Sequence, residues 1–295
     1  MHTVKGKCPS IPPLKNEKGV CVRDGPGKTE FFRDTLLSKY QLHPGVDNQY
    51  SEPLESKMSN FYPIRERHSV KFLKSLDEDS ATGPDLLAAR ILKKCAESLG
   101  RPVAMLARKI ISTGKWPTSW KLHWIPPLHK KKAEFDCKKY HGLHITPQLS
   151  KVVERLIGVP LLAFLESSGA YGPNQFAYRT KCGCKDALLL NVIEWLWAFH
   201  NDEVIALYCS DVSGAFDRVN ADKLLSKLER KGVCPPMLKL LSSWLGERIA
   251  HVVVEGCKST PAVLNNMVYQ GTVWGPPLWK PFLKMQGAPF KMRGF

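Results

Sequence analysis

The chain has 295 residues, 43% of them hydrophobic, and its 43 Lys and Arg against 27 Asp and Glu give a formal net charge of +16. This length and apolar content indicate a globular protein with one large or two small domains, which excludes a wholly disordered chain. The positive excess favours a polyanionic partner, with nucleic acid ahead of an anionic membrane surface.

The sequence shows no membrane span and no secretory signal. Its first ten residues lack an apolar core, and the most apolar stretch, residues 187–199, is short and contains Asn191 and Glu194. The nine cysteines include no C-x-x-C pair, so neither a disulfide framework nor a zinc pattern is indicated. We therefore expect an intracellular protein, in the cytoplasm, the nucleus or both, and no protein partner can be inferred.

The first part of the chain predicts little regular structure. Residues 1–65 are rich in Pro, Gly, Lys and polar side chains, which is typical of a poorly ordered N-terminal extension with a short helical stretch near 28–40. Residues 66–120 predict a helical part, in which two helices are separated by the Gly-Arg-Pro at 100–102 and the second ends at Gly114.

Residues 121–200 predict extended pieces followed by helices. Pro126 and Pro127 exclude helix at the start, where two short extended pieces flank the most basic loop of the chain. Helices are predicted over 148–166 and 186–199. Because the second is apolar on most sides, we expect it to be buried.

Residues 201–279 begin with a continuous apolar run at 204–210, "VIALYCS", which predicts a central strand covered on both faces. A helix capped by Asn220 follows, then a helix over "PPMLKLLSSWLG" and a strand at 251–256. Residues 280–295 form a divergent basic tail.

Asp211 stands at the carboxyl end of the predicted central strand, in "LYCSDVSGAFDRVN". A sheet fixes the backbone there while the carboxylate faces the open end, so the position suits a metal ligand in phosphoryl transfer. The segment alone is equally compatible with an ordinary turn aspartate. Asp217 is expected to support the turn before the next helix.

Six blocks of sequence carry a resemblance to a known family. "DVSGAFDRV" and "YQGTVWGPPLW" resemble motifs A and B of reverse transcriptases of the non-LTR retrotransposon type. Upstream, "ATGPD", "WKLHWIPPLHKK", "LSKVVER" and "NQFAYR" resemble the blocks that precede motif A, in the same order. The resemblance extends over roughly residues 72–279, and six blocks in the right order are a far stronger signal than any one of them.

The resemblance implies an α+β right-hand polymerase, with fingers over 121–200, a partial palm over 201–279, and helices packed on a small antiparallel sheet. It implies RNA-directed DNA polymerase (nucleotidyltransferase) activity with Mg²⁺ as cofactor and deoxynucleoside triphosphates as substrates. The implied partners are an RNA template and a DNA primer, with no membrane association.

Motif A residues take roles by the same resemblance. Asp211 is the first metal-binding carboxylate of the palm, and Val212 lends its backbone carbonyl to the metal. Phe216 stacks under the incoming sugar, where its ring occupies the place of a ribose 2′-hydroxyl and favours deoxynucleotides by shape. Ala215 is small enough to let the sugar approach.

Motif B and the region before motif A supply further residues. Gln270 matches the glutamine that contacts the nucleotide region, and Gly271 matches the glycine that lets the backbone come close. Arg179, in "FAYR", matches a basic position near the template or nucleotide, although it is also compatible with an ordinary surface arginine.

The basic loop supplies the cation for the triphosphate. Lys131 is the predicted lysine, and Lys130 or Lys132 could serve instead. The family's usual Tyr-Arg-Pro is Tyr-His-Gly here, with His141 in the arginine position. An imidazole cannot make the bidentate phosphate contact of a guanidinium, which puts nucleotide binding at that position in doubt.

The sequence departs from the family after motif B. Motif C, which carries an Asp-Asp pair, is not found, and residues 271–295 contain no Asp or Glu. We therefore expect a truncated or frame-shifted copy that is inactive as a polymerase, because a two-metal site needs that charge. The alternatives are a non-catalytic RNA- or DNA-binding remnant and an unstable relic without function.

Overall fold

The structure is a computed structural model, and it describes residues 11–15, 19, 21–40, 57–60, 62–130, 133–172, 175–179, 181–207, 209 and 214–283. Within these ranges the α-helices are α1 Gly25–Lys39, α2 Glu66–Lys74, α3 Ala89–Lys94, α4 Ala96–Thr113, α5 Gln148–Ser167, α6 Cys184–His200, α7 Ala221–Arg230, α8 Pro235–Leu245 and α9 Gly275–Leu283. The strands are β1 Leu14–Lys15, β2 Cys21–Val22, β3 Leu122–Ile125, β4 Pro127–His129, β5 Tyr140–Gly142, β6 Arg248–Val254, β7 Cys257–Lys258 and β8 Ala262–Leu264.

The main sheet is centred on β6. Strand β3 pairs with it in parallel, with Leu122 opposite Ile249, whereas β7 and β8 pair with it antiparallel. The inward positions of β6 alternate along the strand, as expected where one face is buried. The described residues therefore form an α+β structure, but the expectation of a purely antiparallel sheet is wrong, since the β3–β6 pair is parallel.

Strands β4 and β5 form a separate antiparallel hairpin, in which His129 lies opposite Tyr140. This hairpin encloses the basic loop, of which Lys131 and Lys132 lie outside the described residues. We call it the fingers hairpin, defined as residues 127–142. The two extended pieces predicted around the basic loop are thus confirmed. A short β1–β2 pair lies near the start of the chain.

The helix break predicted at 100–102 is wrong. The chain breaks at Cys95 instead, and α4 continues through Pro102 to the predicted end at Gly114, whose φ is 65°. Gly100 serves the packing of α4 on α2: a Cβ built there would be 2.4 Å from Val70 Cγ2. Pro102 is the seventh residue of α4, so it removes the hydrogen bond that an amide there would donate to the Ser98 carbonyl, and the helix continues without that bond.

Helix α1 confirms the short helical stretch that the sequence predicts near residues 28–40. Asp24 caps the helix, since its Oδ2 accepts the Gly27 amide at 2.8 Å. Phe32 and Leu36 are fully or almost fully buried, and the helix packs against β6 and β7. The extension as a unit, like the other predicted domain boundaries, stays a prediction.

Two expectations for the region before motif A are also wrong. Helix α6 forms as predicted, but none of its side chains is buried, and Trp197 is 68% exposed. Residues 203–207 are not a strand, and Val204 is 98% exposed. The physical reason is common to both: no other element among the described residues supplies a facing surface or a strand edge to this segment.

The remaining helices follow the sequence signals. Helix α5 begins after Pro147, α7 is capped by Asn220, whose Oδ1 accepts the Lys223 amide at 2.8 Å, and α8 begins at Pro235. In the part of the chain that the structure describes, no helix is long and apolar enough to cross a membrane.

Candidate active site

The motif A turn runs from Gly214 to Asp217, and its backbone lies against the segment that leads into motif B. The Asp217 amide donates to the Gly214 carbonyl at 2.9 Å, and Gly214 has a φ of 66°. The Val268 amide donates to the Phe216 carbonyl at 3.0 Å, and the Val219 amide donates to the Asn266 carbonyl at 3.0 Å. Motif A and motif B are thus joined through main-chain hydrogen bonds.

Phe216 is half-buried, and its ring stacks on Trp279 with centroids 5.5 Å apart and an interplanar angle of 30°. One face of the ring is therefore occupied by a packing contact. Ala215 lies in the same turn and is half-buried. The sugar-facing roles of both residues stay predictions.

The motif B turn is placed by the end of the fingers hairpin region. The His144 amide donates to the Gln270 carbonyl at 2.9 Å. Gly271 has a φ of 105°, and a Cβ built on it would be 2.6 Å from the His144 carbonyl oxygen. Only glycine fits both the backbone conformation and this close approach, which agrees with the expectation that Gly271 allows a close backbone approach.

A buried polar network lies beneath the motif B turn. Glu154 on α5 accepts hydrogen bonds from Trp244 Nε1 at 3.2 Å and from the Val273 amide at 2.7 Å, and its backbone carbonyl accepts from Trp274 Nε1 at 2.7 Å. Since Val273 follows directly on the motif B turn, a single buried carboxylate on α5 ties that turn to α8.

Arg248, on β6, is the cation of this network and is fully buried. Its Nε and Nη2 donate to the Trp244 carbonyl at 3.0 and 2.7 Å, and its guanidinium lies 4.3 Å from the centroid of the Tyr269 ring. Burial lowers the pKa of Arg248 and raises the pKa of Glu154, and the charge of each opposes the shift of the other. Arg248 thus supports Tyr269, the residue before Gln270, and Glu154 holds Val273 and Trp274, which follow the motif B turn.

Two buried histidines complete the network. Arg248 Nη1 donates to His123 Nε2 at 2.8 Å, so the proton of neutral His123 sits on Nδ1, which donates to His144 Nδ1 at 3.0 Å. Burial and then the charge of Arg248 lower the pKa of His144 to about 3 and that of His123 well below its ordinary value. Both rings are therefore neutral, and His144 in turn holds Gln270.

Neither Glu154 nor Arg248 was identified from the sequence, although each leaves a signal. Glu154 stands in a stripe of α5 that also contains Ser150, Ile157 and Leu161, all buried. Arg248 is in phase with the inward-facing residues of β6. A charge within an apolar stripe predicts a buried partner, but it does not say which one.

The fingers hairpin brings one of the predicted lysines and the histidine to the same area. Lys130 is exposed, and its amide donates to the Lys139 carbonyl at 2.9 Å. Burial lowers the pKa of His141, with further lowering by Lys130 and Lys39. The predicted triphosphate ligand Lys131 and its alternative Lys132 lie outside the described residues.

Arg179 is held by neighbouring groups. Its Nε and Nη2 donate to Glu166 Oε1 at 2.8 and 2.5 Å, and Nη1 donates to the carbonyls of Gly172 and Gln175 at 3.1 and 3.2 Å. The guanidinium thus braces the loop after α5. Contact with a template or nucleotide stays a prediction that would require this ion pair to open.

The predicted metal ligands Asp211 and Val212 also lie outside the described residues. Among the residues that the structure does describe, no group of three or more His, Cys, Asp or Glu side chains could hold a metal ion. The described part alone therefore does not make up a metal site.

The upstream blocks also meet in space. Gln148 Nε2, next to "LSKVVER", donates to the Ala81 carbonyl of "ATGPD" at 2.6 Å. A Cβ on Gly83 would be 2.7 Å from Pro147 Cα, so this glycine permits the contact. Blocks that are distant in sequence thus pack around the start of α5.

Comparison with known proteins defines the class. The profile of the family described as reverse transcriptase (RNA-dependent DNA polymerase) matches residues 128–292, and the chain belongs to this family. Its relatives include the RNA-directed DNA polymerase from mobile element jockey of Drosophila melanogaster, which is 32% identical over an alignment of 278 residues that covers 91% of this chain and 30% of the relative.

The probable RNA-directed DNA polymerase from transposon X-element of the same organism is 26% identical and covers 94% of this chain and 31% of the relative. A third relative, the probable RNA-directed DNA polymerase from transposon BS, is 30% identical over 84% of this chain and 28% of the relative. The resemblance to reverse transcriptases of the non-LTR type is thereby confirmed. The chain spans about three tenths of the length of these relatives.

Proposed function

We propose that this chain is the fingers and part of the palm of an RNA-directed DNA polymerase from a retroelement. In that role Asp211 and the Val212 carbonyl hold Mg²⁺, which supplies the charge that offsets the reacting phosphates. Deoxynucleoside triphosphates are the substrates, RNA is the template and DNA is the primer. We place the protein inside the cell, in the cytoplasm or the nucleus.

The observation that carries the proposal is the meeting of three regions distant in sequence. The Val268–Phe216 hydrogen bond joins motif B to motif A, and the His144–Gln270 hydrogen bond joins motif B to the region after the fingers hairpin. Phe216 and Gln270 are thus each tied by a backbone hydrogen bond to a neighbouring segment, and His144 follows the cationic fingers hairpin closely along the chain.

The distribution of carboxylates along the sequence supports a second function. Residues 256–295 contain no Asp or Glu, so the chain has no carboxylate after Glu255 to join Asp211. We propose that the 295-residue polypeptide by itself binds RNA and RNA–DNA hybrids without extending a primer. An unstable relic is the remaining alternative, and exposed α6 is the feature that favours it.

The test measures binding and chemistry separately. Fluorescence anisotropy should show binding of a labelled RNA–DNA primer–template, with a steep fall in affinity as salt rises, by several log units per log unit of salt. With Mg²⁺ or Mn²⁺ and labelled deoxynucleotide, incorporation should not exceed that of an Asp211→Ala control.

Each arm can fail on its own. A flat salt series would contradict nucleic-acid binding through phosphate contacts. Incorporation above the Asp211→Ala control would show that the chain is an active polymerase as it stands. Lys130→Gln in the hairpin should weaken primer–template binding. The matched control is Lys109→Gln, at an exposed lysine of α4, and it should weaken binding less.

A further inference from the structure

The C-terminal end of α1 meets the fingers hairpin through one lysine. Lys39 Nζ donates to the carbonyls of Lys138 and Tyr140 at 3.2 and 3.1 Å. Beside it, the hydroxyl of Tyr40 would be 3.2 Å from a Cβ on Gly142, so the helix end and the hairpin are in close contact. The ammonium of Lys39 is thus fixed at the backbone of residues 138–140.

Lys130 reaches the same stretch of backbone from the other strand. Its amide donates to the Lys139 carbonyl at 2.9 Å, between the two carbonyls that hold Lys39. Its side chain is exposed, whereas that of Lys39 is partly buried. The two lysines influence each other, since the charge of Lys130 adds to burial in lowering the pKa of Lys39.

The motif A turn is attached to the same helix end. Arg218 Nε donates to the Lys39 carbonyl at 3.1 Å. Burial raises the pKa of the neighbouring Asp217, and the charges of Lys130 and Lys39 oppose that shift. The second nearby carboxylate, Asp136, accepts the Lys138 amide at 2.8 Å. Lys39, Lys130 and Arg218 thus surround Asp217 between the hairpin and the motif A turn.

We propose that Lys39, together with Lys130, binds the phosphate chain of an incoming nucleoside triphosphate between the fingers hairpin and the motif A turn. The inference rests on the proposed function and deepens it, because it adds a residue of α1 that no motif identifies. Two of the three ammonium donors of Lys39 bind carbonyls, which leaves one for a phosphate oxygen. An ammonium already held in place loses little side-chain freedom when the anion binds.

A purely structural role for Lys39 is the competing explanation, since it also fastens α1 to the hairpin. Lys28 offers a matched control on the same helix: its Nζ likewise donates to a backbone carbonyl, that of Ile11, at 2.6 Å, and pairs with Glu255. It lies about 16 Å from Lys39 along the helix axis. Loss of Lys28 should therefore disturb α1 without touching the anion site.

The experiment measures the affinity of the full 295-residue chain for dTTP and for inorganic tripolyphosphate by calorimetry, with and without Mg²⁺, and for the RNA–DNA primer–template by anisotropy. Lys39→Met should weaken dTTP and tripolyphosphate about tenfold or more, as expected for loss of one charged contact. Lys39→Arg should restore most of the affinity. Lys28→Met should lower thermal stability but leave both affinities within about twofold of wild type.

The outcomes separate this inference from the proposed function. Equal dTTP affinity in wild type and Lys39→Met, or no dTTP and tripolyphosphate binding by wild type, overturns the inference while primer–template binding still tests the function. If Lys39→Met weakens only the primer–template, Lys39 faces the nucleic-acid backbone and the proposal is wrong. Failure of wild type to bind primer–template counts against the proposed function.

Lysine footprinting decides the matter if Lys39→Met does not fold. In the wild-type chain, dTTP should protect Lys39 and Lys130 from acetylation, and the exposed Lys109 should react at an unchanged rate. Unchanged acetylation of Lys39 at saturating dTTP would overturn the proposal.

Discussion

The core beneath motif B and the segment 184–209 both contain large apolar side chains, yet their surroundings differ completely. Trp244, Tyr269 and Trp274 are fully buried, and their rings pack at centroid distances of 5.4 to 5.5 Å around Trp244. On α6, by contrast, Leu196 and Trp197 are 62% and 68% exposed. Apolar character alone therefore does not produce burial, because a second element must supply the facing surface.

The difference has a consequence for the site. Motif B is held by a hydrogen bond to buried Glu154, by the Arg248 guanidinium against Tyr269 and by the His144 amide, which donates to the Gln270 carbonyl. Residues 203–207, which lead towards Asp211, form no strand. Within the described residues, the buried network thus supports motif B, whereas no central strand supports the segment that leads to motif A.

The largest expected effect is the loss of stability when a buried tryptophan is replaced, measured beside the replacement of an exposed one. Trp244→Ala should lower the free energy of unfolding by about 3–5 kcal/mol, since it opens a cavity and removes the donor to Glu154. Trp197→Ala on α6 should change it by about 0.5 kcal/mol or less. Urea unfolding followed by circular dichroism measures both.

Similar losses of stability in the two variants would contradict the difference in burial between the core beneath motif B and α6. They would mean that Trp197 is covered in solution, and that α6 packs as firmly as the core beneath motif B.

Local signals predicted much of the fold, and long-range contacts account for what they missed. The starts of α7 and α8 follow from Asn220 and Pro235, because capping and proline act within one turn. Gly100 predicts a helix stop, but the helix continues there, because the glycine allows close packing against Val70 of another helix. Residue type showed what each position can do, but not which element it meets.

The site residues also fall into those that local sequence predicts and those that only long-range contacts reveal. Phe216, Gln270 and Gly271 are recognisable from their motifs, and the structure adds which backbone groups hold them. The Glu154–Trp244 hydrogen bond joins residues 90 positions apart, and no local pattern specifies it. Lys39 lies in the short helical stretch predicted near residues 28–40 and belongs to no motif, so only its packing against the fingers hairpin makes it a candidate.

The second expected effect, of intermediate size, is the pH dependence of the free energy of unfolding. The folded chain keeps His144 neutral down to a pKa of about 3, whereas an unfolded imidazole takes up a proton near pH 6.5. Below pH 6.5 the unfolded state therefore binds more protons, and stability falls as pH falls towards 3. The slope is at most about 1.4 kcal/mol per pH unit for each such histidine.

The useful window is pH 6.5 to 5, where most carboxylates remain charged. Urea midpoints should fall across it, and His144→Gln should reduce the slope. Equal slopes in wild type and His144→Gln would show that His144 is not held neutral by the network, and this comparison cancels the opposing contribution of carboxyls such as Glu154, whose pKa burial raises.

The smallest expected effect concerns the motif B turn itself. Gly271→Ala places a Cβ 2.6 Å from the His144 carbonyl oxygen at a φ of 105°, so the turn must shift as well as strain. We expect a loss of about 2 kcal/mol. Gly169→Ala is the matched control, because its φ is 66° and nothing lies within 4 Å of the new Cβ, and it should cost about 1 kcal/mol. Equal losses, measured by urea unfolding, would mean that positive φ alone requires glycine at 271, and that the motif B turn is not pressed against His144 as the buried network implies.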